Sequence, residues 1–347
     1  MGDCEQQPEE DRQSRAAEVV GNRDPYRMGF QMRESTMVSM PVTRDDVLAA
    51  AQRIHGRVHR TPTFSSRTLG EHVWLKAELF QKTGSFKARG VLNKLASLRA
   101  EEKERGVIGI SAGNHAQALA WGAAAEGIDC LVVMYASASA AKVAATRGYG
   151  ASVDLEAADA VEAFARLDEH IRETGRTLVH PFDDPLVIAG QGTLALELLE
   201  DAPEIETILV PTGGGGLVAG IAAAAPDRRV IAVEPERSTA VHDALAAGRS
   251  VPVTPDSIAD GLSGPFAGET ALAVLQAHDV ESVLVTEEEI EEAFRFLYTR
   301  AQLACEPAGA VAVAAILARK VAAGPMAAVV SGGNVAAETA SAILASR

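Results

Sequence analysis

Cysteine is scarce in this chain of 347 residues. The three present, Cys4, Cys130 and Cys305, are an odd and widely scattered set without a C-x-x-C pair. That excludes a disulfide framework and gives no metal cluster, so a reducing, cytoplasmic location is expected. Positive charge is also in deficit: 32 Lys and Arg face 47 Asp and Glu, a net charge of -15. Such a surface argues against nucleic-acid partners and against anionic membranes. Long apolar runs are missing as well; "PAGAVAVAAILA" (Pro307 to Ala318) falls short of the roughly 20 residues that cross a bilayer. The N-terminus has no basic segment followed by an apolar core.

What is present suits a sizeable buried core, long enough for two domains, with 47% apolar residues. Residues 1–37, extending to about Met40, mix charge, Gln and Pro without apolar periodicity and read as a disordered or loosely docked tail. Beyond them, helical patterns alternate with short β-rich runs: "GVIGIS" (106–111), "CLVVMY" (130–135), "TILVPT" (207–212), "RVIAVE" (229–234), "SVLVT" (282–286) and "MAAVVSGG" (326–333). One helical segment, "VEAFARLDEHIRETG", ends on Gly175, and another opens at the capping box Thr286 to Glu289. Regular βα alternation means an α/β fold with a parallel sheet covered by helices. No repeat or linker divides the chain, so a domain boundary would be discontinuous.

Ligands of such sheets bind where strands run into helix N-termini. In "ILVPTGGGGLVAG" four glycines, Gly213 to Gly216, follow a strand and open a helix. They can fold backbone amides around a phosphate, although a tight turn also uses one or two of them. Gly214, Gly216 and Ala219 fit G-x-G-x-x-A, with Glu234 about 20 residues on, so a dinucleotide-binding dehydrogenase is a rival reading. In "SAGNHAQALAWG", Ser111, Asn114 and His115 gather at a helix start, fit either for a small carboxylate or for simple capping.

The stretch "QKTGSFKARG" (81–90) holds two lysines. A nucleophilic lysine needs partial desolvation to be neutral near pH 7, which Lys87, between Phe86 and Ala88, meets better than Lys82 beside polar Gln81. Taken alone, Lys87 and Arg89 would pass for ordinary solvated charges.

Together with "KAELFQKTGSFKARG", the blocks "SAGNHAQALA", "HPFDDPLVIAGQGT", "PTGGGGLVAG", "IADGL", "CEPAGA" and "VVSGGNV" resemble the threonine dehydratase and serine racemase branch of the fold-type-II pyridoxal phosphate enzymes. The resemblance covers nearly everything from about Val42 onward. It implies two open parallel-sheet domains with the cofactor between them: a large one of 38–105 plus 182–347 and a small mobile one of 106–181. It implies that Lys87 is the covalent attachment point of pyridoxal phosphate, that Phe86 packs on its ring and that Gly213, Gly214, Gly215 and Gly216 bind its phosphate. Asn114 would contact the ring hydroxyl oxygen and Ser331 the pyridine nitrogen, with Glu306 also at the cofactor. Ser85, Ser111, Asn114, His115 and Asp260 would bind substrate, in a homodimer or homotetramer.

The activity so implied is an ammonia-lyase acting on L-threonine or L-serine; a bulkier or acidic β-hydroxy amino acid and serine racemisation are the alternatives. Ala112 stands where racemases of this kind place a second serine, which favours dehydration. Ala240 replaces an Asp of the cation-binding members, so no metal site is expected. "SGPFAGET" departs from the usual pattern after "IADGL", and Phe266 within it could alter the accepted side chain. The chain ends soon after "SGGN", where the biosynthetic dehydratases carry a regulatory domain, so a catabolic role is the natural expectation.

Overall fold

The computed structural model describes residues 42–346; the tail expected at residues 1–37 lies outside them. Among these residues, ten strands form two sheets. The larger contains β1 (Thr63–Ser65), β2 (Val73–Ala77), β7 (Thr207–Pro211), β8 (Arg229–Pro235), β9 (Glu281–Val285) and β10 (Met326–Val330), in the order β1-β2-β10-β7-β8-β9. All its pairings are parallel except β1 with β2. The smaller holds β3 (Val107–Ile110), β4 (Cys130–Tyr135), β5 (Ser152–Ala157) and β6 (Thr177–Leu178), all parallel, in the order β5-β4-β3-β6.

Side-chain alternation explains why the larger sheet is apolar on both faces. Ile208 and Val210 of β7 and Val230 and Ala232 of β8 join a core with Ile188, Leu198 and Ile221, from the helices Pro185–Asp201 and Gly216–Ala224. Leu209, Ile231 and Val233 point the other way, against Phe294 and Leu297 of Glu287–Thr299 and Val311 of Pro307–Leu317. Strands buried on both sides read as unbroken apolar runs, which is why the sequence reveals them.

The strands that sequence patterning does not reveal are β1, β2, β5 and β6. β1 and β6 are three and two residues long, β5 carries Asp154 and Glu156, and β2 contains the fully buried Lys76. The helix ends follow local chemistry. Gly175 closes Ala160–Thr174 in the left-handed conformation at φ 65°. The Thr286–Glu289 capping box opens Glu287–Thr299. No helix among the described residues is long and apolar enough to cross a membrane.

The C-terminal ends of the strands position the site. β7 runs into the glycine loop, β10 into Ser331, β3 into Ser111 and β6 into His180.

Candidate active site

The Gln81–Gly90 stretch is a turn, a short extended link and a helix start. After the tight turn Lys82–Gly84, Ser85 is extended and bridges Gly332. The Phe86 N–H donates to the Ser331 carbonyl at 3.1 Å, and the Gly333 N–H to the Gly84 carbonyl at 2.9 Å. This stitching fixes the entry into the helix Lys87–Ala96. Lys87 Nζ donates to the Pro181 carbonyl at 2.7 Å and lies 5.0 Å from the Phe86 ring centroid. Desolvation lowers its pKa to about 8, only partly offset by the charge of Glu306. Lys82 instead sits 5.4 Å from the Trp121 ring centroid.

A polar network faces this lysine. Asn114 Nδ2 donates to Glu306 Oε1 at 2.6 Å. Asn114 Oδ1 accepts from Asn334 Nδ2 at 2.8 Å, and the same Asn334 nitrogen donates to the Thr83 carbonyl at 2.7 Å. Glu306 begins the helix Pro307–Leu317, and burial pushes its carboxyl up to about 7, against the opposing hydrogen bond from Asn114. Ser331 is buried at the end of β10. Ser111 Oγ accepts from the Gly113 N–H at 3.1 Å, shaping the turn before Asn114–Ala125. The His115 ring turns away to Val179, Nε2 lying 2.8 Å from its carbonyl. Burial, then the Lys87 charge, hold this histidine at about 3, so it is neutral.

The glycine loop is pressed from one side. A Cβ on Gly214 would lie 2.5 Å from the Phe182 ring, and Gly215 adopts φ 92°, so neither position accepts a side chain without rearrangement. Behind them begins the helix Gly216–Ala224. Glu234, the acid of the dinucleotide reading, is fully buried and already committed. Its carboxylate accepts the Val241 and His242 N–H groups at 2.8 and 2.7 Å and the Ser282 hydroxyl at 3.2 Å. It caps the helix Ala240–Ala247 and does not reach toward a ribose.

Asp260 stands apart from the buried groups. Its side chain is 59% exposed and ion-paired with Lys142 of the helix Ala140–Gly148. Pro181, Phe182, Asn334 and Lys142 are among the residues that sequence reasoning left without a role. Pro181, Phe182 and Asn334 lie in the blocks "HPFDDPLVIAGQGT" and "VVSGGNV", so proximity to those motifs was the available signal; Lys142 had none.

Arg89 is not a solvated charge: it is fully buried. Its Nε and one terminal nitrogen donate to the two Glu78 oxygens at 2.9 and 2.8 Å, and the other terminal nitrogen donates to Glu197 Oε1 at 2.7 Å. Lys76 Nζ completes the cluster with Glu197 Oε2 at 2.8 Å and the Thr61 carbonyl at 2.9 Å. Burial opposes the Arg89 charge, but Glu78 and Glu197 outweigh it and raise its pKa. This cluster anchors the helix that starts at Lys87.

Residues 54–332 match the family model described as pyridoxal-phosphate dependent enzyme. The chain belongs to this family. It is 42% identical over 307 residues to the L-threonine ammonia-lyase of Thermotoga maritima, covering 85% of this chain and 76% of that one. It is 42% identical over 294 residues to the catabolic L-threonine dehydratase of Escherichia coli, covering 81% and 88%. Among solved structures, maize serine racemase superposes with a TM-score of 0.82 at 35% identity, covering 86% of this chain and 96% of that one. The fold is that of the fold-type-II pyridoxal phosphate enzymes, and pyridoxal phosphate is the cofactor. The dehydrogenase reading is thereby set aside.

The residues in place fit this cofactor. A partly desolvated amine stands ready for its carbonyl carbon. Ser85 Oγ is buried and has no hydrogen-bond partner among the described residues, which suits it to a polar ligand. The glycine loop offers amide donors and a helix N-terminus for a phosphate.

Proposed function

We propose that this enzyme removes the amino group and the β-hydroxyl of L-threonine or L-serine, releasing a 2-oxo acid and ammonia. The observation that carries this reading is the Lys87 amine, depressed to about 8 and oriented by the Pro181 carbonyl. The names of the 42% identical relatives support the same substrate class.

When bound, pyridoxal phosphate supplies an electron sink conjugated to the substrate's α-carbon. We assign Gly213 to Gly216 to its phosphate, Phe86 to its ring, Ser331 to its pyridine nitrogen, and Asn114 with Glu306 to its hydroxyl side. Ser111, the Asn114–Ala125 helix start, Ser85 and Asp260 receive the amino acid. His115, neutral, ties this helix start to the Val179 carbonyl through its ring. Lys87 takes the Cα proton; the Cβ–O bond then breaks and the hydroxyl, taking up one proton in balance with the one lost from Cα, leaves as water. The released enamine tautomerises to the imine, whose hydrolysis consumes one water and yields the 2-oxo acid and ammonia.

Ser331 offers a hydroxyl where a carboxylate would hold the pyridine nitrogen protonated, which favours expulsion of a β-leaving group over transamination. Ala112, with no proton to give, favours elimination over racemisation. In this reading 106–181, built on the smaller sheet, closes over the substrate, and the enzyme is a cytoplasmic homodimer or homotetramer. A panel of L-threonine, L-serine, hydroxyaspartate and phenylserine with chiral product analysis tests the proposal. Fastest 2-oxo acid release from threonine or serine is expected; D-serine appearing faster than pyruvate would overturn it.

A further inference from the structure

Phe266 lies in "SGPFAGET", and the reaction above gives it no role. Its segment docks on the glycine loop, where the Gly268 N–H donates to the Gly214 carbonyl at 3.0 Å. The segment is also tied from behind: Pro265 accepts the Val253 N–H at 2.8 Å and Ala267 accepts the Ser250 hydroxyl at 2.6 Å.

The Phe266 ring meets Phe182 edge-on, with centroids 5.6 Å apart and planes at 68°. Phe182 in turn fills the space that a Gly214 side chain would take, and the residue before it, Pro181, receives the Lys87 amine. Phe266 also lies 6.5 Å, centroid to centroid, from Phe164 on the helix Ala160–Thr174. Three of the chain's nine phenylalanines are thus linked by ring contacts, with Phe182 at the glycine loop and His180 also edge-on to Phe182 at 4.7 Å. Both Phe266 separations lie in the range where aromatic pairs attract beyond simple burial.

We propose that Phe266 is a positioning residue that presses Phe182 onto Gly214 and so sets the affinity of the glycine loop for the cofactor's phosphate. This rests on the assignment of Gly213 to Gly216 to that phosphate. The test is equilibrium dialysis of pyridoxal phosphate against parent, Phe266→Ala, Phe266→Leu, Phe266→Tyr and Gly214→Ala proteins, with kcat and KM measured at saturating cofactor. Phe266→Ala is expected to raise the cofactor Kd about tenfold, equivalent to ~1.4 kcal/mol. Phe266→Leu should fall between, Phe266→Tyr should match the parent, and KM for the amino acid should stay within about twofold.

Unchanged Kd in Phe266→Ala and Phe266→Leu, with a raised Kd in Gly214→Ala, would overturn the role of Phe266 alone. A raised KM at unchanged Kd would overturn it too, by placing the ring against the substrate. Unchanged Kd in Gly214→Ala would overturn the phosphate assignment and this inference with it. Should Phe266→Ala not fold, Phe266→Leu and Phe266→Tyr carry the comparison.

Discussion

Asn114 gives an amide hydrogen to Glu306 at 2.6 Å, joining the first turn of one helix to the carboxyl that begins another. Because its oxygen is taken by Asn334 at 2.8 Å, the amide has one orientation. What Asn114 can still present to a ligand is its second amide hydrogen and the remaining lone pair of its oxygen.

Glu306 makes stability depend on pH. Burial holds its proton up to about 7, against an ordinary value of 4.5. Between those values the unfolded chain has released a proton that the folded protein keeps, so this contribution is full at low pH and is lost as pH rises through 7. Glu306→Gln, which has no proton to lose, should gain stability over the parent from about pH 5 to pH 8, by on the order of 3 kcal/mol. Urea titrations of the two apoproteins at both pH values check this; a parallel pH dependence would count against a raised Glu306.

Lys87 predicts the acidic limb of the rate profile. If its amine takes the Cα proton, kcat should rise about tenfold per pH unit and level off near pH 8. Lys87→Ala should lose at least about a thousandfold in deamination, the scale of removing a positioned base, and should no longer trap cofactor with borohydride. Full activity in that variant would remove Lys87 from the chemistry.

Arg89 predicts an asymmetry in stability. Arg89→Met strands Glu78 and weakens the hold on Glu197, at a cost of about 3–5 kcal/mol. Replacing Glu78 by Leu as well removes the stranded charge while Glu197 keeps Lys76, so the double variant should unfold at higher urea than the single one. Equal midpoints would show that the cluster is not coupled.

These cases mark what the sequence can disclose. That the glycine run and the Ser111–His115 loop each join a strand to a helix start was legible, because they lie in consecutive residues next to a recognisable strand. The depressed Lys87 was legible from Phe86 and Ala88 beside it. Arg89 was not, because Glu197, which completes its cluster, lies 108 residues away. Phe182 against Gly214 is likewise set only when β6 and β7 deliver their loops to one place. Short or charged strands such as β6 and β5 lack the apolar run that betrays a strand buried on both faces.

Lys142 and Asp260 provide a last test, because their pairing spans the two sheets' surroundings. An ion pair this exposed contributes about 0.2–1 kcal/mol, so Lys142→Ala should leave the unfolding midpoint nearly unchanged. On the proposal that Asp260 receives the amino acid, removing Lys142 takes away that carboxylate's partner, and KM should rise severalfold with kcat little altered. Salt should act in the same direction on the parent, since ions screen exposed charges within about 10 Å at 0.1 M. Steady-state kinetics across a salt series therefore decides the matter. A parent KM that climbs toward the Lys142→Ala value, with the variant flat, confirms the role; parallel curves would assign the pair to the surface alone.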